Sequence, residues 1–400
     1  MPSPVETRIP TDDDLAQYGE ITSNAFHYPI ERARPYFDSV GIDNLRVARL
    51  DGRVAGGIAM IPMGQFFGGR SVPMVGVAAV AIAPEYRSRK VAGTLMREAI
   101  CDMHARGVPI STLYPATQPV YRRVGYEIAG VQYEAQLAPQ AIDVRDNDLL
   151  VRRLTDADAP AVRALYAELA RDQNGQLDRN DFIWRRVANL RGDATTPFVV
   201  ENNGRIEGYI YYFLKAEPYS HQRMRMTDIV ASTRAAARRL LRFIADHRSM
   251  VDRSNWYTGP CDPFAALLAE QKIEFRSGTS WMVRITHVER ALAQRGYAPG
   301  LTAELHLNVR DDIIAGNVGR YLLRVRDGVA SVDRVSGAAD ASRATPGGLD
   351  IDVRGLAALY TGYADPQALR LCGYLEASPR EMATARAIFA GPTPWMRDPF

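Results

Sequence analysis

The chain is poor in cysteine: its 400 residues include three, Cys101, Cys261 and Cys372. They are far apart, odd in number and without any CxxC or Cys/His spacing. That excludes a disulfide scaffold and a structural zinc site, and it fits a reducing compartment. Lysine is equally scarce, at positions 90, 215 and 272 only, so arginine supplies nearly all the positive charge. The charge is balanced, with 49 basic residues against 46 acidic ones leaving a formal +3. No field of that size gathers nucleic acid or an anionic membrane, and neither is expected as a partner. Long hydrophobic runs are missing too. The longest, Val72–Pro84, contains Pro and Gly and is too short to cross about 30 Å of hydrocarbon as a helix. The opening MPSPVETRIPTDDD has neither a basic n-region nor an apolar h-region, so a cytoplasmic location is expected. Walker A, GxGxxG, HExxH and GxSxG patterns are all absent, which removes the anchors for ATPase, dinucleotide, zinc-protease and serine-hydrolase readings. The six histidines (27, 104, 221, 247, 287 and 306) never recur at ligand spacing, and no metal is expected.

What is present is the balance of a globular chain, 46% hydrophobic and 24% charged, long enough for two to four domains. Two internal echoes organise it. Thr11-Asp12-Asp13-Asp14 opens an amphipathic stretch, and Thr155-Asp156-Ala157-Asp158 opens another 144 residues later, each a helix start with acids in its first turn. Gly52-Arg53-Val54-Ala55-Gly56 and Gly204-Arg205-Ile206-Glu207-Gly208, offset by 152, both sit between strand-like runs and read as hairpin turns. One fold used twice is expected, followed by a third domain. The first copy reads as helix 12–26, a helical piece near 30–40, hairpin 45–67, strand 75–83, helix 90–106, strand 110–114, a short helix carrying Tyr121, and strand 126–137. The second reads as helix 158–171, hairpin 197–214, strand 225–232, helix 234–247, strand 255–259, helix 263–271 and strand 279–286. Beyond 288 come strands 301–309 and 321–326, a polar loop at 337–348, helices near 354–362 and 365–373, and a proline-rich ending, GPTPWMRDPF. The expected domains are therefore 1–140, 141–287 and 288–400.

The richest segment is VGVAAVAIAPEYRSRKVAGTLMREAICDMH, Val75 to His104. Its strand is apolar on both faces and so expected at the centre of a sheet. Pro84 ends the pairing, and a basic turn feeds a helix whose free N–H groups and dipole favour an anion. An ordinary strand-to-helix connection with solvated arginines has the same pattern. Cys101, beside Ile100, is expected in packing.

Arg87-Ser88-Arg89-Lys90-Val91-Ala92 resembles the pyrophosphate loop of the GNAT superfamily of N-acetyltransferases, Arg/Gln-x-x-Gly-x-Gly/Ala, with Lys90 where the first glycine stands. The segment Tyr114 to Tyr126, YPATQPVYRRVGY, resembles that superfamily's closing segment. Two copies of this fold and a third domain narrow the likeness to the enhanced intracellular survival (Eis) family, over essentially the whole chain. The resemblance implies an α/β architecture with mixed sheets: two tandem acetyltransferase folds, the second degenerate, and a domain similar to sterol carrier proteins. It also implies acetyl-CoA as cosubstrate, held by Val80, Ala81 and Ile82 of a splayed strand, by Arg87, Ser88, Arg89, Lys90, Val91, Ala92 and Gly93 of the loop, and by Ala116 and Thr117. Tyr121 becomes the candidate acid, a core tyrosine being the alternative. The terminal carboxylate, carried by Phe400, becomes the base, and His27 falls in the stretch that builds the acceptor pocket. The acceptor implied is a primary amine of a cationic small molecule such as an aminoglycoside, or of lysine. A homo-oligomer, a hexamer, is implied by the likeness alone.

Two other functions stay open at this level. The third domain suits a carrier of lipids or apolar ligands, with Leu356, Leu359, Tyr360 and Leu369 lining a tunnel or else simply forming core. Lys90 in place of glycine suits an assembly protein with an inactive transferase domain. Reference pKa values constrain the enzyme reading. A phenol near 10 protonates a thiolate near 8.5 about 2 kcal/mol uphill, whereas a carboxylate near 3.5 lies about 9.5 kcal/mol from an alkylammonium. The carboxylate therefore acts first as an anchor for the cation.

Overall fold

The computed structural model describes residues 5–217, 222–335 and 348–400; His221 and nearly all of the polar loop expected at 337–348 lie outside the described residues. The chain packs as two compact units, Met1–Gly130 with Ser280–Pro392 and Phe400, and Val131–Thr279 with Thr393–Pro399.

The first unit starts with strand β1 (Glu6–Arg8) and helix α1 (Asp12–Phe26). Helix α1 begins where it does because Thr11 and Asp14 cap each other's backbone N–H groups, at 3.3 and 3.0 Å. Asp14 is buried and also takes ion pairs from Arg8 and Arg49, which tie the helix start to the sheet. After α2 (Ala33–Val40) come the antiparallel strands β2 (Leu45–Leu50), β3 (Arg53–Phe67) and β4 (Arg70–Ile82). The first turn is Asp51–Gly52, with φ of 52° and 77°, the left-handed pair that a two-residue hairpin requires. It lies just ahead of the expected position, and Arg53–Gly56 already belongs to the return strand. Helix α3 (Val91–Ala105) crosses back over the sheet and buries Val91, Leu95, Met96, Ala99, Ile100 and Met103. Each large apolar side chain on that face contributes about 1.5–3 kcal/mol. Cys101 corrects the expectation of packing: one residue on from Ile100, it is turned to solvent. Strand β5 (Ile110–Leu113) pairs parallel with β4, and then follow α4 (Gln118–Arg122) and β6 (Glu127–Leu137). The residues Met282–Ile285 complete this sheet, antiparallel to β5.

The C-terminal part of the first unit has a five-stranded sheet, ordered Val329–Arg334, Gly319–Arg326, Thr302–Arg310, Leu349–Asp352 and Leu375–Glu376. Helices Val288–Gln294, Val353–Thr361, Pro366–Leu371 and Pro379–Ile388 accompany it. Leu356, Leu359, Tyr360 and Leu369 are all buried in its core. The first and last of those helices are absent from the sequence reading.

In the second unit a capping box, Thr155 with Asp158, opens a 3-10 turn, Asp156–Asp158, that runs into helix Ala159–Arg171, and Asn203–Gly204 makes a hairpin turn with φ of 49° and 82°. Its sheet runs Leu150–Arg153, Thr196–Asn202, Arg205–Ala216, Gln222–Ala231, Val251–Thr258 and then Tyr133–Leu137. One pair in it, Gln222–Ala231 with Val251–Thr258, is parallel, as β4 and β5 are in the first unit. Residues 263–271 hold only a single 3-10 turn, Ala265–Leu267, where a helix was expected. The Asp262 carboxylate accepts the N–H groups of Phe264 and Ala265 and the indole N–H of Trp256, which fixes a turn in place of a helix start.

Beneath Gly125 the fully buried Arg284 donates to both carboxylate oxygens of Asp311 at 2.7 Å. Arg284→Met leaves that buried carboxylate without its cation and should destabilise the first unit by about 3–5 kcal/mol. Denaturant unfolding measures it, and a loss under about 1 kcal/mol contradicts the assignment.

Candidate active site

The central feature lies on β4. Its parallel pairing with β5 ends at Val77↔Leu113, so Ala78–Ile82 continues with β3 on one side only. Within that stretch the ladder with β3 slips: Ala78 pairs with Ala59 and Ala81 with Gly57, leaving Ala79 and Val80 opposite the single residue Ile58. Ala79 takes up the extra length with φ of 52°, in the left-handed region. The result is a β-bulge at a strand end, a device that turns backbone groups out of a ladder. A buried tyrosine holds it: the Tyr18 hydroxyl donates to the Ala79 carbonyl at 2.6 Å, and its ring stacks on Phe37 at 4.9 Å. The sequence reading missed Tyr18, which lies 61 residues away along the chain and belongs to no motif.

Ile82 leads through a 3-10 turn, Pro84–Tyr86, and four turn residues into α3. Ser88 and Lys90 both have φ of 64°. Lys90 is the N-cap of α3 and gives it no side-chain hydrogen bond, and the first turn carries no acid. Helices beginning at Asp12, Arg234 and Pro379 are, by contrast, capped by Thr11, Thr233 and Ser378. The amides of the α3 start face a cleft of about 550 Å³ lined by Ile82, Arg87, Ser88, Lys90, Val91, Ala92 and Gly93 from the expected set. A side chain at Gly93 would meet no atom within 4 Å. Arg97, one helical turn beyond Gly93, also lines the cleft, with Arg123 and Val120 from the α4 segment; the helical repeat from Gly93 points to Arg97. Glu98 is the acid among these lining groups, and it accepts a hydrogen bond from Thr7. Arg89 turns aside to Asp51, at 3.3 Å, and lies over the Tyr86 ring. Ala116 and Thr117 are exposed between β5 and α4, and neither belongs to the cleft lining. His27 is exposed at the C-cap of α1, with φ of 53°.

Tyr121 is 7% exposed, packed edge-on to Tyr126 with ring centroids 6.2 Å apart. Its hydroxyl has no protein hydrogen bond among the described residues. Burial raises its pKa above the ordinary 10, so the group keeps its proton throughout the neutral range. Tyr126, by contrast, is tied in: its hydroxyl and the Ser111 hydroxyl lie 2.7 Å apart, and Ser111 donates to the Val75 carbonyl of β4. Gly125, with φ of 88°, is required both for that turn and for the close approach of the Arg284 guanidinium. The Phe400 ring packs on the next residue of β4: a Cβ at Gly76 would come within 2.8 Å of it, and the Tyr114 ring lies 5.7 Å away.

Residues 6–129 and 175–285 each match a description of an acetyltransferase (GNAT) domain, and 288–397 match a sterol carrier protein domain. A GCN5-related N-acetyltransferase from Anabaena variabilis superposes with a TM-score of 0.93 at 34% identity, over 99% of this chain and 100% of that one. An uncharacterised N-acetyltransferase of Streptomyces griseus is 28% identical over 360 residues, 83% of each chain. The N-acetyltransferase Eis of Mycobacterium tuberculosis is 26% identical over 312 residues, 73% of this chain and 71% of its own. The chain is an Eis-family GNAT N-acetyltransferase.

The second acetyltransferase fold of this enzyme differs from the first at the corresponding place. Only Ser232 and Thr233 separate the strand ending at Ala231 from the helix beginning at Arg234. The Thr233 hydroxyl caps that helix by accepting from the Ala236 N–H at 3.1 Å, and it donates to Glu207 at 2.8 Å. A carboxylate thus stands at this helix start, where the first turn of α3 carries none. Tail residues 393–399 of this acetyltransferase lie in the same second unit, locked by a buried network. Arg179 grips Asp398 with two hydrogen bonds of 2.7 and 2.9 Å and reaches Asp228 at 2.5 Å. Arg397 reaches the other oxygen of Asp228 at 2.8 Å, and Tyr209 donates to that carboxylate. The Pro399 carbonyl accepts from Arg186 at 3.1 Å.

Tyr18→Phe should keep the fold and lower kcat about 10-fold, the worth of one lost positioning hydrogen bond; a mutant with full kcat removes Tyr18 from the site. For the tail, burial alone would raise the Asp228 pKa, and Arg179 and Arg397 more than offset it, so it is lowered. A lowered carboxylate stabilises above its unfolded value near 4, and that stability is lost as pH falls through the folded value. Protection from hydrogen exchange at 395–398, relative to the intrinsic rate at each pH, should therefore be high at neutral pH and fall below about pH 4; weak protection at pH 7 contradicts the lock.

Proposed function

We propose that this enzyme transfers acetyl from acetyl-CoA to a primary amine of a cationic small molecule such as an aminoglycoside, with the lysine side chain as the next candidate. The supporting observation is the uncapped, acid-free start of α3, open to a cleft beside the free edge of β4. Acetyl-CoA, when bound, supplies the activated acyl group and a thiolate leaving group. The residues fit it. Free amides and the positive end of α3 suit a diphosphate, with Arg87, Lys90 and Arg97 adding charge. Val80, Ala81 and Ile82 present unladdered backbone on one side, suited to a pantetheine arm and to the oxygen that gains charge during transfer. Arg89, Ala116 and Thr117 take outer positions in this assignment.

Lys90 does not argue for a dead transferase. It adopts the left-handed conformation that glycine adopts freely, at a cost of about 1–2 kcal/mol, and sets a cation at the helix start. Nor do Leu356, Leu359, Tyr360 and Leu369 favour a carrier, since they are packed as core.

Tyr121 serves as the acid. Burial raises its pKa, and the same dry surroundings raise that of a thiolate formed there, so both shift in one direction. The terminal carboxylate of Phe400, whose ring rests on β4, draws the cationic amine in and accepts its proton as C–N bonding makes the nitrogen acidic. The domain limits 1–140, 141–287 and 288–400, a hexameric assembly and a cytoplasmic location complete the reading.

Calorimetry should give micromolar acetyl-CoA affinity, and Lys90→Ala should weaken it about 10-fold at low salt and less at high salt. Absence of micromolar binding to the parent refutes the enzyme reading. Tyr121→Phe should lower kcat about 100-fold and leave acetyl-CoA affinity unchanged, and no rate should be lost to its ionisation below pH 10. Residues appended after Phe400 should cut turnover while melting stays unchanged.

A further inference from the structure

Arg179, Arg284 and Arg295 are buried arginines. The first two carry carboxylates, Asp228 and Asp398 in one case and Asp311 in the other. Arg295 carries none among the described residues. It stands just after helix Val288–Gln294 and is 0% exposed. Its Nε donates to the Gly296 carbonyl at 3.1 Å and one Nη to the Tyr360 carbonyl, while Nη2 has no partner. Three rings surround it, with centroids 4.9 Å (Tyr297), 5.1 Å (Phe389) and 5.2 Å (Tyr360) from the guanidinium carbon. The Tyr360 hydroxyl is likewise buried without a partner, whereas Tyr297 spends its hydroxyl on the Leu292 carbonyl.

Aromatic faces attract a cation but do not accept the N–H bonds that lie in the guanidinium plane. A water would accept them and leave the charge unbalanced. A buried charge without a counter-ion is the arrangement that folded proteins avoid. We propose that a small monovalent anion of the halide class is bound in the core of the C-terminal part of the first unit, held by Nη2 of Arg295 with the Tyr360 hydroxyl as second donor. Two unpaired donors and one uncompensated positive charge match one anion in donor count and in sign. The ion also has a structural consequence. Gly296 donates to the Phe67 carbonyl at 3.0 Å, and the Phe67 ring stands edge-on to Tyr360 at 5.3 Å. Neutralising Arg295 thus secures the tip of the β3–β4 hairpin against this core.

Bromide-soaked crystals of the full chain, with anomalous scattering recorded, test the site directly. An anomalous peak at hydrogen-bond distance from Arg295 Nη2 is expected, and its absence overturns the proposal whatever else is seen. Melting in sodium chloride against sodium gluconate at equal ionic strength gives a second readout. The midpoint should be about 3 °C higher in chloride, and Tyr360→Phe, which keeps the ring, should at least halve that difference. Equal midpoints in the two salts for the parent protein also overturn it.

Discussion

The parallel pairing of β4 with β5 stops at Val77↔Leu113, and the rest of the site follows from where it stops. A central strand normally spends its backbone groups on two neighbours. Here β4 runs five residues further with one neighbour, and the bulge at Ala79 and Val80 turns part of that backbone out of the remaining ladder. Exposed peptide groups in an otherwise apolar sheet are costly unless something meets them, and acyl transfer needs such groups fixed in advance. Tyr18 supplies the fixing by bonding the Ala79 carbonyl. The connection that follows has no hydrogen-bonding side chain to satisfy the α3 amides, so the same short stretch offers both a polar strand edge and a positive helix start.

The second fold is informative by contrast. It keeps the capping box, the left-handed hairpin turn and the parallel strand pair. It shortens the connection and satisfies the helix start internally through Thr233, which Glu207 backs with negative charge. The first fold leaves its helix start without a side-chain cap, and the second caps its own. One hydroxyl and one carboxylate distinguish the two helix starts.

Buried arginines recur as structural fasteners. Arg284 with Asp311 supports the turn at Gly125, and Arg179 with Asp228 and Asp398 fixes the tail. Three lysines in the whole chain leave arginine to these tasks. Its planar fork, able to bond two carboxylate oxygens at once, is better suited to them than an ammonium is.

Local signals in the sequence settled a good deal. The doubled Thr-Asp starts, the apolar strand with its basic loop, the face of α3 and the glycine at 125 all act within a few residues, through caps, periodicity and left-handed turns, and so are legible from neighbours alone. The roles proposed for Tyr121 and Phe400 come from the resemblance alone. Other features depend on groups far apart in sequence. The Tyr18 bond to Ala79, the contact of Phe400 with Gly76, the exposure of Cys101, the turn at Asp262 and the unpaired Arg295 leave no local trace. Whether a side chain is a ligand, a fastener or core depends on which distant partner packing brings to it, and only the tertiary structure decides that.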